Sequence, residues 1–133
     1  MDLYAQNILD RYKTPYHKGD LKDADITHEE ANHSCGDKVT IHLKLDDSRV
    51  EDYHFEGAGC AISMASADMA GDLITGMTLD EILALSKEDI IEMLGIEISV
   101  RRSKCALLSL LAIQNGILEN RGEEKKEWME FHI

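Results

Sequence analysis

The sequence predicts one α+β domain, and two observations carry the prediction. Val39, Ile41, Leu43 and Leu45 alternate with Thr40, His42 and Lys44, the period of a half-buried strand. After Cys60 the period lengthens. Ile62, Ala65, Met69 and Leu73 share one helical face, and Ala106, Leu110, Ile113 and Ile117 share another. Strands precede helices, the order expected of an α+β domain. At 133 residues the whole chain is expected to fold as a single unit with a sizeable core.

The N-terminal helix is predicted over 2–13, where Tyr4, Ile8 and Tyr12 repeat every four positions until Pro15 stops the pattern. Residues 16–23 are polar and read as an irregular connection. A first strand is placed at 26–32, where the apolar pattern is thin. The alternating strand at 39–45 is followed by turn residues Asp46-Asp47-Ser48 and by a second hairpin strand at 50–56. Val50 is out of phase with Tyr53 and Phe55, which predicts a bulge near Glu51.

A helix is expected from Cys60 to about Gly76, with Met64 and Met69 as packing residues. Thr78–Glu81 and Ser86–Asp89 each match a capping box and start two short helices. Gly95 suits the stop of the second. The last helix covers about 104–119. Residues 120–133 are charged but hold Trp128 and Phe131, and read as a flexible tail or a docked peptide.

A formal net charge of −12 excludes a nucleic-acid partner, which requires a basic footprint. It suits docking on a basic protein surface. No apolar run approaches the roughly 20 residues of a membrane span, and the start of the chain lacks the features of a secretory signal. The expected location is the cytoplasm, where cysteines serve metal or catalytic chemistry rather than disulfides.

The three cysteines stand 25 and 45 residues apart, so no local zinc knuckle exists. Their surroundings are more telling. Cys35 and Asp37 flank Gly36 in the short polar turn Asn32-His33-Ser34-Cys35-Gly36-Asp37; in an extended segment that spacing points both side chains to one face, and Gly36 permits the bend needed for convergence. Cys60 follows Gly57-Ala58-Gly59 and opens a helix, whose N-terminus favours thiolate. Cys105 opens another beside Arg101, Arg102 and Lys104, which predicts an exposed, anionic thiol. Taken singly, Cys105 reads equally well as a core residue and Asp37 as turn chemistry. His33, His42 and His54 read as exposed or hydrogen-bonded polar residues. Together, Cys35, Asp37, Cys60 and Cys105 make four ligands, enough for a tetrahedral zinc or for a two-iron cluster with one oxygen ligand.

The chain resembles the U-type iron–sulfur cluster scaffold proteins, the IscU, SufU and NifU N-terminal family. The resemblance rests on Ile8-Leu9-Asp10-Arg11-Tyr12-Lys13, on the 32–37 turn, on Phe55-Glu56-Gly57-Ala58-Gly59-Cys60-Ala61-Ile62-Ser63 with Ser66 after it, and on Arg102-Ser103-Lys104-Cys105-Ala106-Leu107-Leu108. It implies a small antiparallel sheet of about three strands covered by helices on one side. It implies that Cys35, Cys60 and Cys105 bind the cluster and accept sulfur, and that Asp37 takes part in metal binding and tunes release. Of the three, Cys105, with its expected exposure and flanking basic residues, is the first choice to receive sulfur, with Cys35 on its turn close behind. The implied role is a scaffold, not an enzyme, that builds a [2Fe–2S] cluster from iron and the sulfur of a cysteine desulfurase and passes it to apo iron–sulfur proteins. The alternative is a zinc-bound, SufU-like sulfurtransferase that accepts persulfide from the desulfurase; a zinc module that only binds partners is a third.

Three departures qualify the resemblance. Lys104 stands where IscU-type members carry histidine, as it does in SufU-type members, and a protonated lysine cannot ligate metal. The 45-residue gap before Cys105 looks too short for the SufU-type insertion. Ile98-Ser99-Val100-Arg101-Arg102 replaces the Leu-Pro-Pro-Val-Lys segment read by a dedicated Hsp70-type chaperone, which leaves that partner unsupported.

Overall fold

A computed structural model describes residues 2–131 of the chain. Asp2 starts helix α1 (Leu3–Lys13) by accepting a hydrogen bond from the Ala5 N–H at 2.8 Å, so one of the unpaired donors of the first turn is satisfied. Of the predicted inner stripe only Ile8 is buried; Tyr4 and Tyr12 are exposed. Arg11 seats the helix instead. Its guanidinium donates to Asp68 at 2.5 Å and to Asp72 at 2.9 Å, and the Tyr16 ring covers its outer side.

Three strands form an antiparallel meander: β1 (Ile26–Asn32), β2 (Asp37–Asp46) and β3 (Arg49–Ala58). Lys44 pairs with Asp52 and Leu45 with Val50, so Glu51 is the extra residue of a bulge, where the phase of Val50 predicts it. The thin apolar pattern of β1 has a local cause. Facing inward beside Ile26 are His28, Glu30 and Asn32, opposite Ile41, Val39 and Asp37. His28 bonds Glu30 at 2.6 Å, and the Asn115 amide donates to the same carboxylate at 2.9 Å. The connection before β1 is more ordered than its composition suggests. The Phe55 N–H donates to His17 O at 3.0 Å and the Gly19 N–H to Phe55 O at 2.8 Å, lacing the segment to the free edge of β3.

The helices cover one face of this sheet. α2 (Ala61–Ile74) packs on β3, and the long α5 (Ser103–Asn120) packs on β1 and β2. Between them run α3 (Leu79–Leu83) and α4 (Lys87–Leu94), each opened by the predicted capping box. Gly95 closes α4 at φ 74°, a left-handed cap that suits glycine. The single apolar stripe expected for α5 is too narrow a description. From Cys105 to Ile117 every residue is buried, because the sheet, α2, α4 and the C-terminal segment surround it. That segment is tied down by Asn115, which accepts from the Lys126 N–H at 2.6 Å and donates to Lys126 O at 3.1 Å; Phe131 is buried beyond it. Among the described residues no helix is long and apolar enough to cross a membrane.

Asp68 is fully buried, with Arg11 as its charged partner and the His17 N–H donating to its other oxygen. Arg11→Ala should cost about 3–5 kcal/mol, the penalty for a buried charge that has lost its partner. Urea unfolding of the two proteins at neutral pH measures it.

Candidate metal centre

The sheet and the two buried helices bring three distant segments to one end of the molecule. Asn32 and Asp37 pair across the end of the β1–β2 hairpin, and residues 33–36 form the loop between them. Asn32 shapes it: its backbone carbonyl accepts from the Cys35 and Gly36 N–H groups, and its side chain accepts from Ser34 N–H. Gly36 takes φ 81°, a conformation that favours glycine. Cys35 is thus lifted into solvent while Asp37, the first residue of β2, is only 6% exposed. The two side chains converge through a turn, not through the extended backbone that their spacing suggests.

The second segment is positioned by its glycines. Gly57 lies opposite Val39, and a Cβ there would strike the Lys38 carbonyl. At Gly59 a Cβ would come within 2.8 Å of the Asp37 carboxyl carbon. Gly-Ala-Gly is therefore the condition for Cys60 to reach the N-cap of α2 beside Asp37. The Cys60 thiol lies 3.5 Å from the Ser63 hydroxyl, and that hydroxyl donates a short hydrogen bond to Asp37 Oδ2. Ser63 has one proton and gives it to Asp37, so its oxygen is left to accept from the Cys60 S–H. Ser63 is buried. Sequence reasoning missed its role; its place three residues after Cys60, inside the same motif, is the signal that marks it.

The third segment brings Cys105 in the first turn of α5. One ligand atom each from Cys35, Asp37 and Cys105 lies within 4.8 Å of the others. The sulfurs of a tetrahedral zinc–thiolate centre are about 3.8 Å apart at ordinary bond lengths, so small side-chain rotations suffice to close on a metal. Cys60 stands outside this trio: its thiol is bonded to Ser63 and bears electrostatically on the Cys105 thiol. The fold thus brings Cys35, Asp37 and Cys105 together and leaves Cys60 beside them.

The electrostatics correct one expectation. Cys105 is buried, not exposed, and burial, with the neighbouring Cys60, Cys35 and Asp37, pushes its thiol up to about 12. Burial disfavours the anion more than the adjacent basic residues favour it. Arg102 does face Cys60 and Cys105, and they raise its own pKa; Lys104 turns away and places its ammonium 5.8 Å above the Trp128 ring. Cys35 is the exposed thiol. Burial also works against the Asp37 carboxylate, but donors from Ser63, Cys35, the Cys60 backbone and Cys105 outweigh it and hold its pKa below the ordinary value. Of the histidines, His33 is exposed, while His42 and His54 lie on the outer face of the sheet, hydrogen-bonded and away from the thiols. A cleft of about 500 Å³ opens between the 32–35 turn and residues 100–105, so the trio has an entrance. A further hollow of about 760 Å³ beside α4 holds no thiol.

A meander covered by helices on one side, with three thiols and a carboxylate converging at its end, defines a small metal- or sulfur-handling domain. The chain belongs to the family of the NifU-like N-terminal domain, whose profile it matches over residues 3–127. It is 38% identical to the zinc-dependent sulfurtransferase SufU of Bacillus subtilis, over 90% of this chain and 92% of that one. The alignment spans 137 positions although this chain has 133 residues in all, so that relative carries residues without a counterpart here. The chain is 31% identical to the iron–sulfur cluster assembly scaffold protein IscU 1 of Archaeoglobus fulgidus, over 88% of this chain and 76% of that one. Among solved structures it matches a protein of Fervidobacterium islandicum AW-1, assigned to the SUF system as an iron–sulfur cluster assembly scaffold, with a TM-score of 0.75 and 28% identity over 84% of this chain and 94% of the other.

Ser63→Ala should raise the Asp37 pKa, because the buried carboxylate loses a donor. A depressed carboxyl stabilises the fold above its unfolded value near 3.9 and loses that contribution as the pH falls through its folded value. The variant should therefore be less stable by about 1–3 kcal/mol at pH 7, and the gap should close below about pH 4. Carboxyl carbon-13 titration and urea unfolding at the two pH values test both parts.

Proposed function

We propose that this chain, acting as one domain over residues 1–133, is a cytoplasmic scaffold that assembles a [2Fe–2S] cluster and hands it to apo iron–sulfur proteins. The ligand set is Cys35, Asp37, Cys60 and Cys105. The observation that carries the proposal is the convergence of Cys35, Asp37 and Cys105 within 4.8 Å, with Cys60 beside them and an open cleft in front. Three thiolates and one oxygen match the needs of a two-iron cluster, and the chain's relatives include named cluster scaffolds.

Sulfur arrives from a cysteine desulfurase. Cys35 is the acceptor that fits, since it is exposed and sits on a loop, whereas Cys105 is buried and its thiol neutral. The Cys35 thiolate attacks the outer sulfur of the desulfurase persulfide, forming an S–S bond and releasing the desulfurase cysteine as thiolate. Two electrons from a separate reductant then convert each transferred sulfur to sulfide, which joins iron at the four ligands. Carboxylate is a harder and weaker ligand for cluster iron than thiolate, so Asp37 is the point at which a finished cluster is loosened for transfer. Asp37 is already ionised at neutral pH and needs no proton removed before it binds.

A zinc-dependent sulfurtransferase is the second reading. The SufU relative favours it, as does Lys104, which is held against Trp128 and offers no nitrogen ligand. In that case zinc occupies the same residues and one cysteine leaves it to take up persulfide.

Anaerobic reconstitution with ferrous iron and sulfide separates the two. The scaffold reading expects visible charge-transfer absorption and two irons per chain. A colourless protein that retains one tightly held zinc and strongly stimulates a desulfurase's turnover overturns it. For the scaffold, Asp37→Cys should lengthen the lifetime of the bound cluster in transfer to an apo-protein, because a thiolate replaces the weak ligand; a shorter lifetime would refute the role given to Asp37.

A further inference from the structure

The outer face of the sheet, away from the helices, carries a second cluster of metal-binding groups. His42 lies there on β2, one strand position out of phase with Ile41 and Leu43 of the core. Its imidazole is 93% buried, with a side-chain exposure of 7%. Nδ1 is bonded to the Thr27 hydroxyl at 3.0 Å, which fixes the ring and aims Nε2 at two carboxylates from separate segments. Glu56 on β3 is 2.8 Å away and Asp20, before β1, is 3.9 Å away. One ligand atom from each of the three lies within 4.8 Å of the others.

Three features separate this group from an ordinary surface ion pair. The ring is held by a neutral hydroxyl at its far nitrogen, the outer-shell arrangement that orients a metal-binding histidine. Asp20 is positioned by backbone contacts: the adjacent Gly19 N–H donates to Phe55 O, and the Asp20 carbonyl is bonded by His54 Nδ1 at 2.8 Å. Finally, the charge is uncompensated. Among the described residues, His42 is the only basic side chain within 4 Å of either the Asp20 or the Glu56 carboxylate, so two negative charges face one imidazole.

We propose that Asp20, His42 and Glu56 form a second site for a divalent first-row cation, open to water on its outer side. One nitrogen and two carboxylate oxygens suit manganese, ferrous iron or zinc, without the thiolates that favour soft metals. The separations are near those of ligands around one ion bonded at about 2.0–2.2 Å. Entry of the ion requires only that the exposed Glu56 and Asp20 side chains shift slightly. Five residues along β2 and on the opposite face, the site is roughly 17 Å from Asp37 and independent of the thiol centre. An ion there would pin the 16–25 connection to the sheet.

Manganese(II) tests this directly, since it prefers carboxylate and imidazole to thiolate and broadens the NMR signals of nearby nuclei. Titrated into the metal-free protein, it should first broaden the amide signals of residues 20, 42, 54 and 56. His42→Asn keeps a group for Thr27 but removes Nε2, and should weaken the localised effect by about tenfold or more. Glu56→Gln, at an exposed position, should do likewise and guards against misfolding of the first variant. Broadening centred on Asp37 and Cys35, broadening spread evenly over the acidic surface, or a localised effect unchanged in Glu56→Gln would each overturn the proposal.

Discussion

A carboxylate removed from water must be surrounded by donors, and Asp37 makes that demand at the end of β2. The Ser63 hydroxyl at the start of α2 donates to it, and the hairpin loop (Cys35), the start of α2 (Cys60) and the start of α5 (Cys105) supply the groups that hold its pKa down. An unsatisfied buried carboxylate would be strongly destabilising, so the fold is committed to bringing these three segments together. The thiols that could bind a metal are thereby gathered before any metal arrives. In the proposed function the same residue would link stability to cluster binding.

The helices meet this demand because their own positions are over-determined. α5 is buried on all sides over thirteen residues from Cys105 to Ile117, and cannot slide without opening cavities against the sheet, α2 or α4. α2 is locked to α1 by Arg11 and the fully buried Asp68. Two helix starts are therefore held rigidly, and the hairpin loop carrying Cys35 is the exposed member of the site. In the proposed function this division would suit a cargo that comes and goes, with exposed Cys35 within reach of a partner while buried Asp37 and Cys105 and half-buried Cys60 hold geometry.

The two faces of the sheet carry different chemistry for a topological reason. Only the inner face is covered by helices, so the odd-numbered residues of β2 from Asp37 to Leu43 meet the core and the thiols. The even-numbered residues lack a helix layer and meet, besides their strand neighbours, the connection between α1 and β1. That segment is laced to β3 by backbone hydrogen bonds, and this explains why His42 is buried on a face that is otherwise wet.

The amino-acid sequence by itself determined the order of elements, the bulge at Glu51 and both capping boxes, and it marked the four candidate site residues. These are local properties. A period of two or 3.6, a glycine before a helix start and a cap three residues from its partner are written in neighbouring positions. Only the tertiary structure decided how those parts behave once packed. It buried Cys105 and made its thiol neutral, where flanking basic residues had promised an anion; it turned Lys104 to Trp128; and it placed Ser63 between Cys60 and Asp37. It also replaced the expected tyrosine stripe of α1 with the Arg11–Asp68 pair, and drew Asp20, His42 and Glu56 from three separate segments to one point. The reason is the same in each case. Burial and long-range charge depend on what lies across the fold, and a sequence records what lies alongside.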